Sequence, residues 1–488
     1  MTVTAESPLI DVKQNAAAAT IDEEVIERIP KGRDFTTLVA FQAPGAQSES
    51  RNGGLQIDGS SGSENRFYID GVDRTNLRTG LTGATQTNTG GGNPELVTDF
   101  IDQVVVKSSG YNAEHRAATG GTVSAITKTG SNTWRGSGGV YFNSDKLQGQ
   151  ERPELRLNPR DQTQAETIVR PPDDYSLWEP MLQIGGPLVR NRVWLFAGYV
   201  PRIRRDARTV TFQSNGQRAT FNDDTEDHQV SYNVTSQLSK ALRVKFAVSN
   251  ERFYDGVINT NGRPTIEPDG TSTSNPALFP VALYEDQFDD SYVANVDYVA
   301  SSRLYVNVTT GYWTYGTHGA GAGTTLRHSF GASNFQFGDI PDSLKNVNGF
   351  ADAPVNSQTV FDDFSRLAFN TDATYFGSFW GQHSIKTGVQ FERLANEVLN
   401  GAVAPNIALQ WDATRAALDG RRVRGTYGYY TVTQNRREGD IAFKQRRSVR
   451  SGRLGGHQPA HVESRRQNRQ AGHPLVQHGQ SGDLFSFR

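Results

Sequence analysis

From Trp134 to about Ile441 the chain repeats one pattern: short runs in which apolar and polar residues alternate with a period of two. Such a run puts its apolar residues on one face of a strand, so the pattern commits the region to β-structure. Val230-Ser231-Tyr232-Asn233-Val234-Thr235-Ser236-Gln237-Leu238 alternates in this way, and Leu242 to Val248 repeats it after a tight connection, which predicts a hairpin. Tyr292 to Tyr298 with Leu304 to Val308 predicts a second. Further strands are expected near Arg192 to Val200, Phe369 to Phe376, Ser384 to Phe391 and Gly425 to Thr433. The total is roughly ten. The intervening loops are very short or very long, as at Asn250 to Asp290 and His318 to Asp362. Outer-membrane barrels have this asymmetry, whereas soluble sandwiches seldom carry such long loops. Aromatic residues gather at expected strand ends, at Trp194 and Tyr199, Tyr312 and Trp313, and Phe379 and Trp380. They suit interfacial girdles; the competing reading is the aromatic core of a soluble all-β protein.

Composition narrows the chemistry. The 488 residues include no Cys, which removes thiol catalysis, disulfides, Cys-ligated zinc and iron–sulfur clusters. Lys+Arg and Asp+Glu number 50 and 52, so there is no chain-wide basic field for nucleic acid. Only 35% of residues are hydrophobic, against 49 Gly and 10% aromatics, which favours many short strands over a helical enzyme. There is no 18-residue apolar run for a membrane helix, a test to which a membrane barrel is blind. Met1 to Glu6 has neither the basic nor the apolar region of a signal peptide, so the protein is either cytoplasmic or lacks its true N-terminus here.

Residues 1 to about 133 read differently, as a small α+β domain. Asp22 can cap a short helix over Glu23 to Ile29 that Pro30 ends. Gly53 to Gly59 and Arg66 to Gly71 are strand-then-turn units, each closed by Asp-Gly. Asp102 to Lys107 and Gly121 to Thr127 add two strands, and the Gly-rich stretch 79–92 is the candidate mobile loop.

Three segments of this block carry a resemblance: Phe67 to Asp73, Ile101 to Lys107, and Ala118 to Asn132, the last with Gly120-Gly121 followed by a strand and Thr127-Lys128-Thr129-Gly130. In that order they resemble the plug domain of TonB-dependent outer-membrane receptors, in the Oar-like branch. Gln183 to Leu188 leading into Asn191 to Phe196 is similar to that branch's early barrel strands. The resemblance covers roughly residues 1 to 441. It implies an α+β plug domain followed by an antiparallel transmembrane β-barrel, incomplete at about ten strands against the 22 of a plugged transporter. The expected division is 1–19 as a TonB-box-like segment, 20–133 as plug, 134–441 as partial barrel and 442–488 as an aberrant basic tail. Asp70, Gly71, Gly120, Gly121, Thr127, Lys128 and Gly130 are then structural plug-motif residues. Thr2, Val3, Thr4 and Ala5 resemble the segment that a TonB-like inner-membrane energy-coupling protein grips by strand addition; they equally suit the last strand of a preceding domain. One departure is His115-Arg116, where many family plugs have an aromatic-Gly pair.

The tail breaks the pattern. Residues 443–488 hold 9 Lys+Arg and 2 Asp+Glu, a net of +7 against −9 for the rest, with four of the nine His and no strand period. A basic binding tail, a disordered extension and an out-of-frame translation compete. With compatible codons, reading from the second base of the Phe443 codon permits SNNAAAFVQDAW and later RLTLNLGV, which alternates like a barrel strand. A one-nucleotide frameshift near Ala442 is therefore expected. It also disposes of His457 and His461 as metal ligands, since Pro459 lies between them and no third ligand is evident.

No other motif carries chemistry. The carboxylates of Asp223 to Asp227 lack the spacing and central Gly of a calcium loop. Gly319-Ala320-Gly321-Ala322-Gly323 lacks a phosphate-binding context. Asp58, Asp70 and Asp73 suit turns better than acid–base work, and no nucleophile elbow occurs. The expectation is therefore no enzyme, no metal and no cofactor, but an outer-membrane receptor that binds an iron chelate, cobalamin, a saccharide or a peptide at its extracellular loops and imports it past a plug. The resemblance further implies contact with outer-membrane lipid and a leader missing from this chain. The runners-up are a surface binding or adhesion protein of the same build, and a non-functional gene fragment; a soluble all-β enzyme stands third.

Overall fold

The structure, a computed structural model, describes residues 18–29, 35–48, 55–75, 96–108, 120–149, 151–158, 163–169, 171–255, 284–330, 350–378, 382–411 and 413–455, apart from 418, with shorter pieces in 263–276 and 466–478. Residues 2–5, the Gly-rich stretch 79–92, His115-Arg116, Phe379-Trp380 and His457 and His461 lie outside these.

In the N-terminal block, β1 (Ala18–Asp22) runs directly into α1 (Glu23–Arg28). The Asp22 carboxylate accepts the Val25 amide at 3.1 Å, the expected cap. A second helix, α2 (Phe35–Gln42), was not legible as one, yet it buries Phe35, Leu38 and Val39. Strands β2 (Arg66–Ile69), β3 (Val72–Asp73), β4 (Ile101–Lys107) and β5 (Thr122–Thr127) complete a sheet ordered β1-β4-β5-β2-β3. Ile26, Phe35, Leu38, Phe67, Val104 and Val123 fill its core, each contributing about 1.5–3 kcal/mol on burial. The two Asp-Gly turns form as expected, with φ of +50° and +82° at Asp58 and Gly59 and +50° and +88° at Asp70 and Gly71, the double positive φ of a type I′ turn, and the second closes the β2–β3 hairpin.

Ten long strands follow in one antiparallel sheet. They are β6 (Arg135–Ser144), β7 (Asp174–Val189), β8 (Val193–Phe212), β9 (Arg218–Ser239), β10 (Leu242–Asp255), β11 (Tyr284–Ser301), β12 (Leu304–Ala320), β15 (Ser357–Ser378), β16 (Gln382–Ala402) and β19 (Arg436–Gly455), each hydrogen-bonded to the next. Among the described residues β6 pairs with β7 alone, so the sheet does not close. The four elements numbered between them are β13 (Arg327–Phe330), β14 (Phe350–Ala351), β17 (Asn406–Trp411) and β18 (Gly428–Thr433). They form a separate sheet, β14-β13-β17-β18, that joins two long loops around Phe330 and Trp411. The run expected near Gly425 to Thr433 is thus a strand of this loop sheet and not of the barrel: a period of two reports a half-buried strand without saying which sheet it joins.

The sheet's two faces decide between a soluble core and a membrane barrel. On β9, Ser231 and Asn233 are 2% and 0% exposed, while Val230 and Tyr232, which alternate with them, are 36% and 38% exposed. Polar inside and apolar outside is the dyad pattern of a lipid-facing barrel strand. The outer face continues through Phe142 and Trp178, packed 4.4 Å apart, and Leu182, Ile184, Tyr199, Phe246, Tyr292, Tyr298, Tyr312, Phe369 and Tyr375. The girdle expectation needs a correction here. Consecutive strand residues point to opposite faces, so Tyr312 faces outward while Trp313 is fully buried inside, and the Trp194 indole is tied to Asn132 at 2.8 Å.

At the other edge, β19 crosses the expected boundary at residue 442 and stays in register with β16 from Gly401 opposite Arg436 to Gln382 opposite Gly455. Its outer face changes character: Lys444 lies opposite Arg393, and the Arg446 guanidinium stands 5.9 Å from the centre of the Phe391 ring.

Candidate functional site

The Asp70-Gly71 turn puts its hairpin, β2 and β3, against the inner face of four successive barrel strands, β10, β11, β12 and β15. Asp70 is the node. Its carboxylate accepts the Thr127 amide at 3.1 Å and hydroxyl at 2.7 Å, binding the hairpin to β5, and meets the Lys245 ammonium of β10 at 2.7 Å. Lys245 also donates to the Thr127 hydroxyl at 3.1 Å. On β11, Asn295 reaches the Asp70 carbonyl at 3.4 Å. Two residues on, Asp73 pairs with Arg366 of β15 at 2.6 Å, both side chains nearly inaccessible, and Arg366 also donates to the Thr75 carbonyl at 3.1 Å. Arg74 pairs with Asp289 of β11, which accepts the Trp313 indole at 3.0 Å, and donates to Ser249 of β10 at 3.3 Å. Val72 enters a pocket of Val293, Trp313, Tyr315 and Phe364. One four-residue turn and its flanks therefore carry three buried ion pairs.

A second contact is mostly apolar. The Phe100 ring meets Phe196 edge-on at 6.5 Å, over Gly198, a position with no room for a side chain. Gly130 is needed for the same reason, since a Cβ there would strike the Leu195 and Gly186 carbonyls. Asn233 of β9 donates to the Lys128 carbonyl, while the Lys128 ammonium reaches back to Glu23 of α1 at 2.8 Å.

The expected motif residues thus divide. Asp70, Gly71 and Thr127 come together in the clamp, Lys128 and Gly130 in the seat under β8 and β9. Gly120 and Gly121 touch neither; they pack against Ser60, Asn65 and Ile57 inside the domain. Asp70 and Asp73 are more than turn formers, since both are ionic anchors. Lys245, Asp289 and Arg366 were not singled out from sequence. Their one signal is a charge on the polar face of an alternating strand, which Arg243 beside Lys245 shares. Each carboxylate here is occupied by a cation, and among the described residues no three His, Cys, Asp or Glu side chains gather to hold a metal. The arrangement can hold a domain in place and let it go; it has no group positioned for bond-making.

No protein-family model matches the chain. Over 284 residues it is 28% identical to the TonB-dependent transporter Oar of Myxococcus xanthus, covering 56% of this chain and 25% of that one. In fold it is similar to the outer membrane transporter YddB from Escherichia coli, with a TM-score of 0.55 at 13% identity, over 92% of this chain and 58% of that one. The ferripyoverdine receptor of the outer membrane of Pseudomonas aeruginosa gives a TM-score of 0.51 at 12% identity, over 97% and 54%. In sequence the chain is thus similar to a TonB-dependent transporter, and in fold to outer-membrane receptors of that kind. Its N-terminal block corresponds in fold to the plug of those proteins and its long sheet to part of their barrel wall. It spans a quarter of the curated relative and a little over half of the two solved structures.

Proposed function

We propose that this receptor binds a ligand at its extracellular loops and admits it past the plug when a TonB-like inner-membrane protein pulls on the N-terminal segment, with Thr2, Val3, Thr4 and Ala5 as the strand the partner grips. The observation that carries the reading is the clamp. The plug has its own core yet is tied to the wall through ion pairs at one hairpin, a bond that water can replace once the plug shifts. Deleting residues 2–5 abolishes uptake and leaves ligand binding intact; equal uptake after the deletion favours a surface binding protein without import.

A second proposal concerns the tail. Lys444 and Arg446 occupy the outer face of β19, where β16 presents Val389 and Phe391. A Lys or Arg on a lipid face costs about 2–4 kcal/mol near the midplane, and compatible codons after Ala442, read one nucleotide on, permit an alternating strand. High-accuracy resequencing across this point returns a frame continuing as SNNAAAFVQDAW if the tail is out of frame, and the present codons if it is not.

A further inference from the structure

The strand nearest the N-terminus, β1, lies at the edge of the plug sheet. Among the described residues it pairs with β4 alone, from Ala18 opposite Lys107 to Asp22 opposite Gln103. A short edge strand drawn from its end opens locally, one ladder bond after another, and leaves the rest of the domain where it is. One side-chain contact reaches past β4. Glu23 follows the last residue of β1 and Lys128 the last residue of β5, and their ion pair at 2.8 Å crosses the end of β4. There Ile101 lies opposite Thr127, and the Lys128 amide donates to the Phe100 carbonyl at 2.9 Å. Glu27, one turn on in α1, stands 4.0 Å from the same ammonium. The Lys128 side chain is only 12% exposed, against 47% for Glu23 and 65% for Glu27. Its chain neighbour Thr127 is the residue that Asp70 and Lys245 hold in the clamp.

We propose that Lys128 is a strap that makes the N-terminal strand and the clamp let go together. The proposal rests on the reading above for the direction of the pull, and names the residue that carries the pull to the clamp. If β1 and α1 left alone, the ammonium would stay in its nearly closed site without either α1 carboxylate, and stranding a buried charge is unfavourable. The easier path is for the end of β5 to move with α1. That movement draws Thr127 off Asp70, whose carboxylate is shared between Thr127 and Lys245 of the wall. Ion pairs and hydrogen bonds couple distant groups where they form a contiguous chain, and Glu23, Lys128, Thr127 and Asp70 follow one another without a gap.

The test draws the full chain, reconstituted in lipid bilayers, by a tether on Thr2→Cys, the only thiol present, and reads the length of chain freed at each rupture. The strap predicts a single rupture that frees residues 18–75 together, about 200 Å of extended chain. In Lys128→Met and in Glu23→Gln/Glu27→Gln the rupture splits: a first one frees residues 18–28, about 40 Å, and the clamp yields in a later one. The glutamines replace partly exposed carboxylates isosterically and leave Asp102 within electrostatic reach of Lys128, so the test stands even where Lys128→Met fails to fold. Lys128→Arg, which keeps the charge, keeps the single rupture. An ion pair that only stabilised the plug would lower the force of one unchanged rupture. The proposal is overturned if the unaltered chain already opens in the two steps, or if the glutamine variant keeps the single one. The measurement uses neither ligand nor partner protein, so it succeeds or fails apart from the effect of deleting residues 2–5 on uptake.

Discussion

Phe100 meets the barrel through its ring, whereas Asp70, Asp73 and Arg74 meet it through charge. The two contacts are neighbours on the same plug, joined through Thr127 and Lys128: the ring over Gly198 and against Phe196, the charges against Lys245, Arg366 and Asp289. Apolar contact is non-directional and roughly proportional to area, so the seat tolerates small displacements. A buried ion pair has a short reach and a strict geometry, and removing one partner strands a charge. The clamp therefore fixes where the plug sits. It is also the contact that fails all at once, because separated charges regain their water. A plug meant to stay would be better served by a second seat.

Breaking the clamp from one side sharpens that contrast. Arg366→Ala leaves Asp73 buried without its cation and is expected to lower stability by about 3–5 kcal/mol, whereas Arg366→Met, which keeps volume beside Trp313, combined with Asp73→Leu removes the charge from both sides and costs far less. Thermal unfolding with protease sensitivity of the plug measures both. If the double substitution costs as much as Arg366→Ala, the contact is steric and the comparison with the seat collapses.

A smaller effect probes a charge contact outside the clamp. In the loop sheet, burial pushes the Asp352 carboxyl up, but hydrogen bonds from the His328 amide and ring, together with its charge, outweigh this and hold it below the usual carboxylate range. A lowered carboxylate stabilises the fold above its unfolded value of about 3.9 and loses that stabilisation as pH falls through its folded value. At a partly exposed pair the contribution is about 1 kcal/mol or less. Loop-sheet protection in hydrogen exchange should thus weaken only in acid, below about pH 4, and Asp352→Asn should flatten that dependence.

The sequence made local features legible and distant ones illegible. The Asp22 cap, the Asp-Gly turns and the hairpins at Val230 to Val248 and Tyr292 to Val308 are set within a few residues, and all are present. The helix Phe35–Gln42 has little amphipathic contrast, so only its tertiary packing reveals it. The clamp is the extreme case: Asp70 and Lys245 are 175 residues apart, Arg74 and Asp289 215, Asp73 and Arg366 293. A period of two says which side of a strand faces the lumen but not which plug residue waits there. The loop sheet was missed for the same reason, since β13 pairs in parallel with β17 from a different loop. The β16–β19 pair shows the converse limit. Backbone pairing is indifferent to side chains, so β19 stays in register even where its outer face turns basic.

The central claim is that the plug must leave its clamp for ligand to pass, and the absence of cysteine allows a direct test. A Cβ on Gly311 of β12 would lie 3.4 Å from the Val72 Cβ, close to disulfide geometry. In Val72→Cys/Gly311→Cys, the oxidised receptor should bind ligand at the surface as before, import none, and recover import on reduction. Import at the unaltered rate with the disulfide formed would contradict the account.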